Sequence, residues 1–174
     1  MNSQRMNLLY HPLEKQIKNN KMEQEQQLIY MPMQLDDLDE VLDVERKSFL
    51  SPWTPDLFIN EFSNPRSIKR ILRSPLDNHL IGYIIWWVVL DEGHLMSIAI
   101  NEEDQRSGAG RFLVEKMIAE CRDNNVETIS LEVREKNYEA IGLYQSFEFK
   151  AIGRRKKYYV DENEDAILME LKLT

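Results

Sequence analysis

Two closely spaced glycines, Gly108 and Gly110, stand between an apolar strand pattern and an amphipathic helix pattern. The strand pattern covers residues 95–100, and after a polar link the stretch Gln105-Arg106-Ser107-Gly108-Ala109-Gly110 leads directly into Arg111-Phe112-Leu113-Val114. Because glycine has no side chain, backbone N–H groups in such a loop can converge on one point at the positive end of the helix dipole. That arrangement suits a phosphate or diphosphate group.

The residues after the second glycine exclude two familiar nucleotide-binding loops. A P-loop requires Lys and then Ser or Thr after its last glycine, whereas Arg111 and Phe112 occupy those positions. A dinucleotide-binding loop requires a third small residue where Leu113 stands. Two interpretations remain open from spacing alone: an ordinary turn before a helix, and a diphosphate site of another kind.

Length and composition limit the class of protein. The chain has 174 residues and 43% hydrophobic content, which suffices for one domain with a sizeable core. The net charge of -8 argues against nonspecific nucleic-acid binding and weakly favours a cationic partner. Cys121 is the only cysteine, so an internal disulfide and a thiol metal cluster are excluded, and we interpret it as a core residue. The longest apolar run, residues 80–90, is too short to span a membrane, so a cytoplasmic protein is expected.

The first 26 residues differ in character from the rest. They are polar, rich in Asn, Gln, Lys and Glu, and contain only scattered apolar positions. We predict that residues 1–26 form a disordered or loosely helical extension and that the folded domain covers residues 27–174. Met22 is an equally suitable start of the chain.

Hydrophobic periodicity predicts a mixed α/β sheet. The predicted strands cover residues 28–33, 68–73, 79–90, 94–100, 126–133, 149–159 and 165–173, and the predicted helices cover residues 38–49, 56–62, 111–123 and 137–147. A meander of three strands followed by alternating strands and helices excludes a purely parallel sheet. The apolar stripe of the helix after the glycine loop predicts its core face.

Several aromatic and polar residues receive structural interpretations. Trp86 and Trp87 are neighbours on one strand, so they are predicted to point to opposite faces of the sheet. His79 and His94 flank turns, show no metal-ligand spacing, and are expected to be exposed to solvent. Two prolines around Trp53 predict a stiff loop, which is either a packing plug or the wall of a binding groove.

Several motifs, in a fixed order along residues 28–173, resemble the GNAT N-acetyltransferases. The motifs are Gln105-x-x-Gly108-x-Gly110, Glu45-Arg46-x-x-Phe49 with Pro52-Trp53, Val88-x-Leu90-Asp91-Glu92, Leu131-Glu132-Val133-Arg134 followed by Asn137, Ala140, Leu143-Tyr144 and Phe149, and Arg155-x-x-Tyr158-Tyr159 with Glu164-Asp165-Ala166. Within that family the set is similar to the RimI-like ribosomal-protein alanine N-acetyltransferases. The resemblance implies an α/β fold with a mixed central sheet flanked by helices on both faces.

The resemblance also implies where acetyl-CoA, a co-substrate that carries a diphosphate, is held. The backbone of Ile98, Ala99 and Ile100 is expected to pair with the pantetheine arm as an added strand would. The backbone amides of Arg106, Ser107, Gly108, Ala109, Gly110 and Arg111 are expected to hold the diphosphate, and Asn137 to contact the coenzyme further along. No metal is expected to take part.

The resemblance assigns catalytic roles to Glu132 and Tyr144. Glu132 matches the general base, which takes the proton of an amine, and Tyr144 matches the general acid, which protonates the departing thiolate. Judged from the residues alone, Glu132 is instead a strand-end carboxylate paired with Arg134 or Lys136, and Tyr144 a core aromatic residue. Two positions depart from the family pattern: Gln105 replaces a common arginine, and Glu148 stands where a glycine usually precedes Phe149.

The expected acceptor is a protein N-terminus. Deprotonating a lysine of pKa about 10.4 instead of an α-amine of pKa about 8 costs roughly 3 kcal/mol more at neutral pH. The RimI resemblance points to the N-terminal alanine of a small-subunit ribosomal protein. Asp91, Glu92 and Glu164 are either walls of a groove for a basic peptide or solvated turn charges. The alternatives are acetylation of protein lysines or a small amine, and a non-catalytic module that binds coenzyme A or a peptide.

Overall fold

The computed structural model describes residues 28–160 and 163–173, which form seven strands and four helices. The strands are β1 (Ile29–Pro32), β2 (Ser67–Arg73), β3 (Leu80–Val89), β4 (Glu92–Ile100), β5 (Thr128–Arg134), β6 (Lys150–Tyr159) and β7 (Glu164–Lys172). The helices are α1 (Leu38–Ser48), α2 (Pro55–Ser63), α3 (Ala109–Asp123) and α4 (Tyr138–Gln145). The predicted N-terminal extension lies outside the described residues.

One sheet contains all seven strands in the order β1-β2-β3-β4-β5-β7-β6. The pair β4–β5 is parallel, and every other pair of neighbours is antiparallel. The parallel pair is joined by α3, because a parallel connection must cross from one end of the sheet to the other. The prediction of a mixed α/β sheet is confirmed.

The helices cover both faces of the sheet, as the family resemblance implied. The stripe of α3 that the sequence predicts as its core face is buried on one side of the sheet, in a core that also contains Trp86 and Tyr144. A second core on the other side contains Val41, Leu42 and Phe58 of α1 and α2. Trp87 points away from Trp86 and donates a hydrogen bond to Glu61 of α2. The two tryptophans therefore face opposite sides, as predicted.

The sheet opens in its middle, between β4 and β5. These strands pair only from Glu92 with Thr128 to Leu95 with Leu131, and from there β4 continues beside β3 while β5 continues beside β7. At the same point Met96 has no partner in β3, because Ser97 pairs with Ile85 and Leu95 pairs with Trp86. This β-bulge begins where the two strands separate, and bulges commonly redirect strands beside active sites.

Within the described residues, no helix is long and apolar enough to cross a membrane.

Candidate active site

The last residues of β4 present backbone groups to the opening. The Asn101 amide donates to the Ile81 carbonyl at 2.8 Å, so alternate residues of β4 provide the hydrogen bonds to β3. By the same alternation the N–H and C=O groups of Ile98 and Ile100 face the opening, whereas those of Ala99 face β3. The Gln105 side chain donates a long hydrogen bond of 3.4 Å to the Ile100 carbonyl.

Close packing of β3 on β4 keeps this strand in place. A Cβ atom on Gly82 would lie 2.5 Å from the Ala99 carbonyl oxygen, which is closer than atoms of this kind approach one another. Glycine at this position therefore allows the two backbones to approach while β4 leaves β5.

The glycine loop forms the entrance to α3. Arg106 and Gly108 both have left-handed backbone conformations, with φ of 60° and 97°. The Ser107 hydroxyl accepts a hydrogen bond from the Ala109 amide at 3.2 Å. The amides of Gly110 and Arg111 lie in the first turn of the helix, where no partner exists within the helix itself. These amides are therefore placed to bind an anion at the positive end of α3.

Side chains connect the glycine loop to the far side of the opening. The Arg111 guanidinium donates to the Ser146 hydroxyl at 2.8 Å and lies 4.5 Å from the centre of the Phe147 ring, beyond the end of α4. Asn137 lies just before α4, and its side-chain oxygen accepts a hydrogen bond from the Ala140 amide at 3.1 Å. Asn137 thus has a clear structural role as the cap of α4.

Glu132 is the first residue of β5 beyond the last rung shared with β4. Its side chain is only 9% exposed, and both carboxylate oxygens have partners: Oε2 lies 2.8 Å from His94 Nε2, and Oε1 lies 2.9 Å from Arg155 Nη1. The hydrogen bond from His94 holds the pKa of Glu132 below its ordinary value, and the charges of His94 and Arg155 act in the same direction. Glu132 is therefore a carboxylate at neutral pH.

His94 supports Glu132 from the neighbouring strand. Its Nδ1 atom lies 2.8 Å from the Ser130 hydroxyl, and Ser130 is its register partner on β5. The expectation that His94 is simply exposed to solvent is wrong, because its side chain is half-buried and both ring nitrogens have partners. The expected pairing of Glu132 with Arg134 or Lys136 is also wrong.

Glu164 takes the partners that were expected for Glu132. Its carboxylate accepts a hydrogen bond from the Lys136 amide at 2.9 Å and lies 3.5 Å from the Arg134 guanidinium. Arg134 in turn lies 4.0 Å from the centre of the Tyr159 ring. Of the two interpretations of Glu164, neither a groove wall nor a solvated turn charge fits, because this carboxylate is buried and holds the end of β5 against β7.

Tyr144 lies on the face of the sheet opposite to Glu132. Leu131 and Val133 of β5 point into the core beneath α3 and α4, so Glu132 between them points to the other side. Tyr144 belongs to that core, and its ring lies 5.7 Å from the ring of Phe149. Burial raises the pKa of the Tyr144 hydroxyl, which is therefore protonated at neutral pH.

A second buried carboxylate, Glu45 of α1, lies on the side of the sheet that Glu132 faces. It accepts hydrogen bonds from the Trp53 amide at 2.7 Å and from the Tyr83 hydroxyl, which also contacts the Ser97 hydroxyl at 2.9 Å. Burial raises the pKa of Glu45 above its ordinary value. This network attaches the Trp53 loop to β3 and β4, so the loop has at least the packing role that the sequence suggested.

Neither Glu45 nor the partners of Glu132 were predicted as parts of the site. Glu45 could have been found, since it interrupts the apolar stripe of α1 formed by Val41, Leu42 and Val44. Arg155 belongs to one of the motifs that resemble the family, but no local pattern assigns it or His94 to Glu132, because the two come from strands distant in the chain. Among the described residues, no group of three or more His, Cys, Asp or Glu side chains is arranged to hold a metal ion.

Comparisons with known proteins agree with this geometry. Residues 38–149 match the model of the acetyltransferase (GNAT) family. The chain is 38% identical over 138 residues to a putative [ribosomal protein bS18]-alanine N-acetyltransferase of Bacillus subtilis, a match that covers 79% of this chain and 90% of that protein.

Solved structures show the same architecture. The crystal structure of the ribosomal-protein-S18-alanine N-acetyltransferase from Escherichia coli superposes with a TM-score of 0.78 at 33% identity, covering 84% of this chain and 94% of that one. The structure of Arabidopsis thaliana NAA60 in complex with acetyl-CoA gives a TM-score of 0.75 at 16% identity, covering 83% of this chain and 98% of that one. The second likeness is one of fold alone.

Proposed function

The chain belongs to the GNAT acetyltransferase family, and from this premise we propose that it acetylates the N-terminal alanine of ribosomal protein bS18 with acetyl-CoA as the donor. An enzyme of this family is an N-acetyltransferase, and the relatives named for bS18 support the choice of acceptor. We assign the catalytic domain to residues 27–174. We also propose that the enzyme acts in the cytoplasm, where ribosomal proteins are made.

The open sheet and the glycine loop fit the donor. The backbone groups of Ile98 and Ile100 would pair with the pantetheine amides, while Ala99 between them keeps the strand attached to β3. The amides of residues 106–111 would hold the diphosphate. Asn137, across the opening, would contact the coenzyme through the side-chain nitrogen that its capping role does not use. Acetyl-CoA supplies an acyl group already activated as a thioester.

The acceptor amine needs a base, which we assign to Glu132. An α-amino group has a pKa of about 8, so only roughly a tenth is neutral and nucleophilic at pH 7. The amine attacks the thioester carbonyl, and its proton passes to Glu132 through water. The carboxylate form of Glu132, which its hydrogen bond from His94 favours, is the form that this step requires.

The leaving thiolate needs an acid, which we assign to Tyr144. When the C–S bond breaks, the Tyr144 hydroxyl gives its proton to the coenzyme A sulfur. A phenol kept protonated by burial is suited to this transfer, because it does not lose its proton before the bond breaks. Base and acid thus act from opposite faces of the sheet on a reaction that takes place in its opening.

The observation that carries the proposal is the end of the β4–β5 ladder at Leu95 and Leu131. Beyond it lie a stretch of β4 backbone that β5 does not pair and the Glu132 carboxylate on one face, while the Tyr144 phenol belongs to the core on the other face. This combination suits transfer of an acyl group between two substrates that enter from opposite sides.

A peptide assay tests the acceptor. Thiol release from acetyl-CoA is measured with peptides that begin with the N-terminal residues of bS18, with the same peptides blocked at the α-amine, and with a polyamine. We expect release with the free peptides only. Acetylation of the blocked peptides at a lysine would contradict the N-terminal preference.

A variant tests the base. Glu132→Gln preserves the shape and removes the proton acceptor, so acetyl transfer should slow at least tenfold while acetyl-CoA binds with nearly unchanged affinity in calorimetry. A wild-type rate would remove Glu132 from the mechanism, and an absence of any heat of acetyl-CoA binding to the folded wild-type protein would remove the donor.

A further inference from the structure

Both oxygens of the Glu132 carboxylate are occupied before any acceptor arrives. His94 holds Oε2 at 2.8 Å and Arg155 holds Oε1 at 2.9 Å, and the Glu132 side chain is only 9% exposed. Each oxygen has a second lone pair, but so little of the side chain is exposed that an amine, or a water that carries its proton, cannot approach it freely. The acceptor therefore gains access to the carboxylate when one of the two side chains that cover it moves aside.

His94 is the partner that stays. It lies on a central strand, its Nε2 atom faces the carboxylate, and its Nδ1 atom is held by the Ser130 hydroxyl at 2.8 Å. Because a carboxylate only accepts hydrogen bonds, His94 Nε2 must carry the proton in this contact. Moving the ring would break two hydrogen bonds at once.

Arg155 is the partner that can leave. Its side chain is 53% exposed and lies on β6, an edge strand of the sheet. The pairing of β6 with β7 is irregular between Arg155 and Tyr159, so the strand is not continuously held at this point. The Tyr158 ring centre, 5.5 Å from the guanidinium, offers the displaced cation a second contact.

The charges explain why such an exchange is favourable. A carboxylate as buried as Glu132 is strongly destabilised when its cationic partner is removed and nothing replaces it. An incoming ammonium replaces the Arg155 guanidinium charge for charge, whereas a neutral, blocked N-terminus does not. During this exchange the Glu132 carboxylate always has a cationic partner, first the Arg155 guanidinium and then the ammonium.

We propose that Arg155 is a displaceable cap on Glu132, and that it selects acceptors which bring a positive charge at the attacking nitrogen. The proposal rests on the assignment of Glu132 as the base. Arg155 is then a specificity-determining residue, because an acceptor must compete with its guanidinium for one carboxylate oxygen. Removing the cap should make binding of the cationic acceptor easier without altering the chemical step.

Arg155→Met tests the cap, with Arg154→Met as its matched control. Arg154 is the preceding residue on the same strand, is similarly exposed at 51%, and is also ion-paired, but with Glu135 and Asp165. We expect Arg155→Met to lower the KM for a free alanine peptide about fivefold at low salt while kcat stays within twofold, and Arg154→Met to change neither. Arg155→Lys should restore a KM near that of the wild type, because it returns a cation to the cap.

Ionic strength and a double variant sharpen the test. The KM difference between wild type and Arg155→Met should shrink in 0.5 M salt, since the exposed Arg155 pair is screened. In a Glu132→Gln background, Arg155→Met should no longer lower KM. A higher KM or a tenfold lower kcat in Arg155→Met, with acetyl-CoA affinity unchanged, would overturn the cap and make Arg155 a supporting group.

The results for these variants distinguish a failure of the proposed cap from a failure of the proposed function. If Glu132→Gln is slow while Arg155→Met behaves as Arg154→Met does, the cap is wrong and the base stands. If Glu132→Gln keeps the wild-type rate, the base assignment itself fails, and the cap fails with it.

Discussion

The two sides of the opened sheet present different kinds of chemical group. On the side of β4 and the glycine loop, the groups proposed to hold the donor are backbone N–H and C=O groups of consecutive residues. On the side of β5, the groups proposed to handle the acceptor are side chains from β4, β5 and β6 that meet around Glu132. The first side depends on local conformation, whereas the second depends on which strands are neighbours.

This contrast predicts that variants on the two sides fail in different ways. A change of side chain near β5 should alter the rate with little effect on coenzyme affinity, since no backbone group moves. A change that strains the loop before α3 should alter coenzyme affinity instead.

Tyr144→Phe is expected to have the largest effect. The variant removes only the hydroxyl and keeps the ring packed against Phe149, so kcat should fall at least tenfold while acetyl-CoA affinity is unchanged. Thiol release and calorimetry measure the two quantities. The deficit should shrink with an acetyl thioester of a more acidic thiol, which leaves without help from an acid.

Tyr138→Phe is the matched control for Tyr144→Phe. Tyr138 lies on the same helix but is 76% exposed, so removal of its hydroxyl should leave kcat unchanged. Equal losses in the two variants would show that Tyr144 acts through the helix and not as an acid.

Gly108→Val should weaken acetyl-CoA binding about fivefold. The backbone at Gly108 has φ of 97°, a conformation that costs a residue with a side chain about 1–2 kcal/mol, and valine is among the least tolerant. Calorimetry measures the affinity. Gly142→Ala in α4, where an added Cβ also meets nothing within 4 Å but φ is not positive, should bind acetyl-CoA as the wild type does.

The two buried carboxylates should respond to acid with opposite signs. The pKa of Glu132 is lowered in the folded protein, so its stabilising contribution is present above the ordinary value of 4.5 and is lost as pH falls below it. The pKa of Glu45 is raised by burial, so its charged form destabilises the fold near pH 7 and this penalty is relieved as pH falls towards 4.5.

Urea unfolding of Glu132→Gln and Glu45→Gln at several pH values measures this difference. Relative to Glu132→Gln, the wild type should lose stability below pH 4.5. Relative to Glu45→Gln, it should gain stability between pH 7 and 4.5. If the stability of the wild type relative to each variant changed with pH in the same direction, the environments assigned to Glu132 and Glu45 would be contradicted.

Glu148→Gly should have the smallest effect, a gain in the free energy of unfolding of about 1 kcal/mol. Glu148 has φ of 70°, the left-handed conformation that glycine adopts without strain, and its side chain is exposed. The turn therefore uses a left-handed backbone at the position where the family usually has a glycine. Urea unfolding measures the gain, and acetyl transfer should not change.

The same contrast explains what the sequence could reveal. The strands, the helices and the glycine loop follow from short-range patterns, such as alternation along a strand or two glycines before an apolar stripe, and these predictions agree with the structure. The partners of Glu132 follow from strand order, because β4 lies directly beside β5 and β6 is separated from β5 only by β7. No spacing along the chain carries that information, so nearby Arg134 and Lys136 seemed the natural partners.

The extra residue at Met96 decides which edge of β4 faces the opening of the sheet. Strand alternation has a period of two, so a single inserted residue exchanges the inward and outward positions of everything that follows it. If Met96 instead paired with Ile85 in an uninterrupted ladder, Ile98 and Ile100 would lie opposite Tyr83 and Ile81, and their hydrogen-bonding groups would turn toward β3. One unpaired residue therefore decides which edge of β4 is open to a donor.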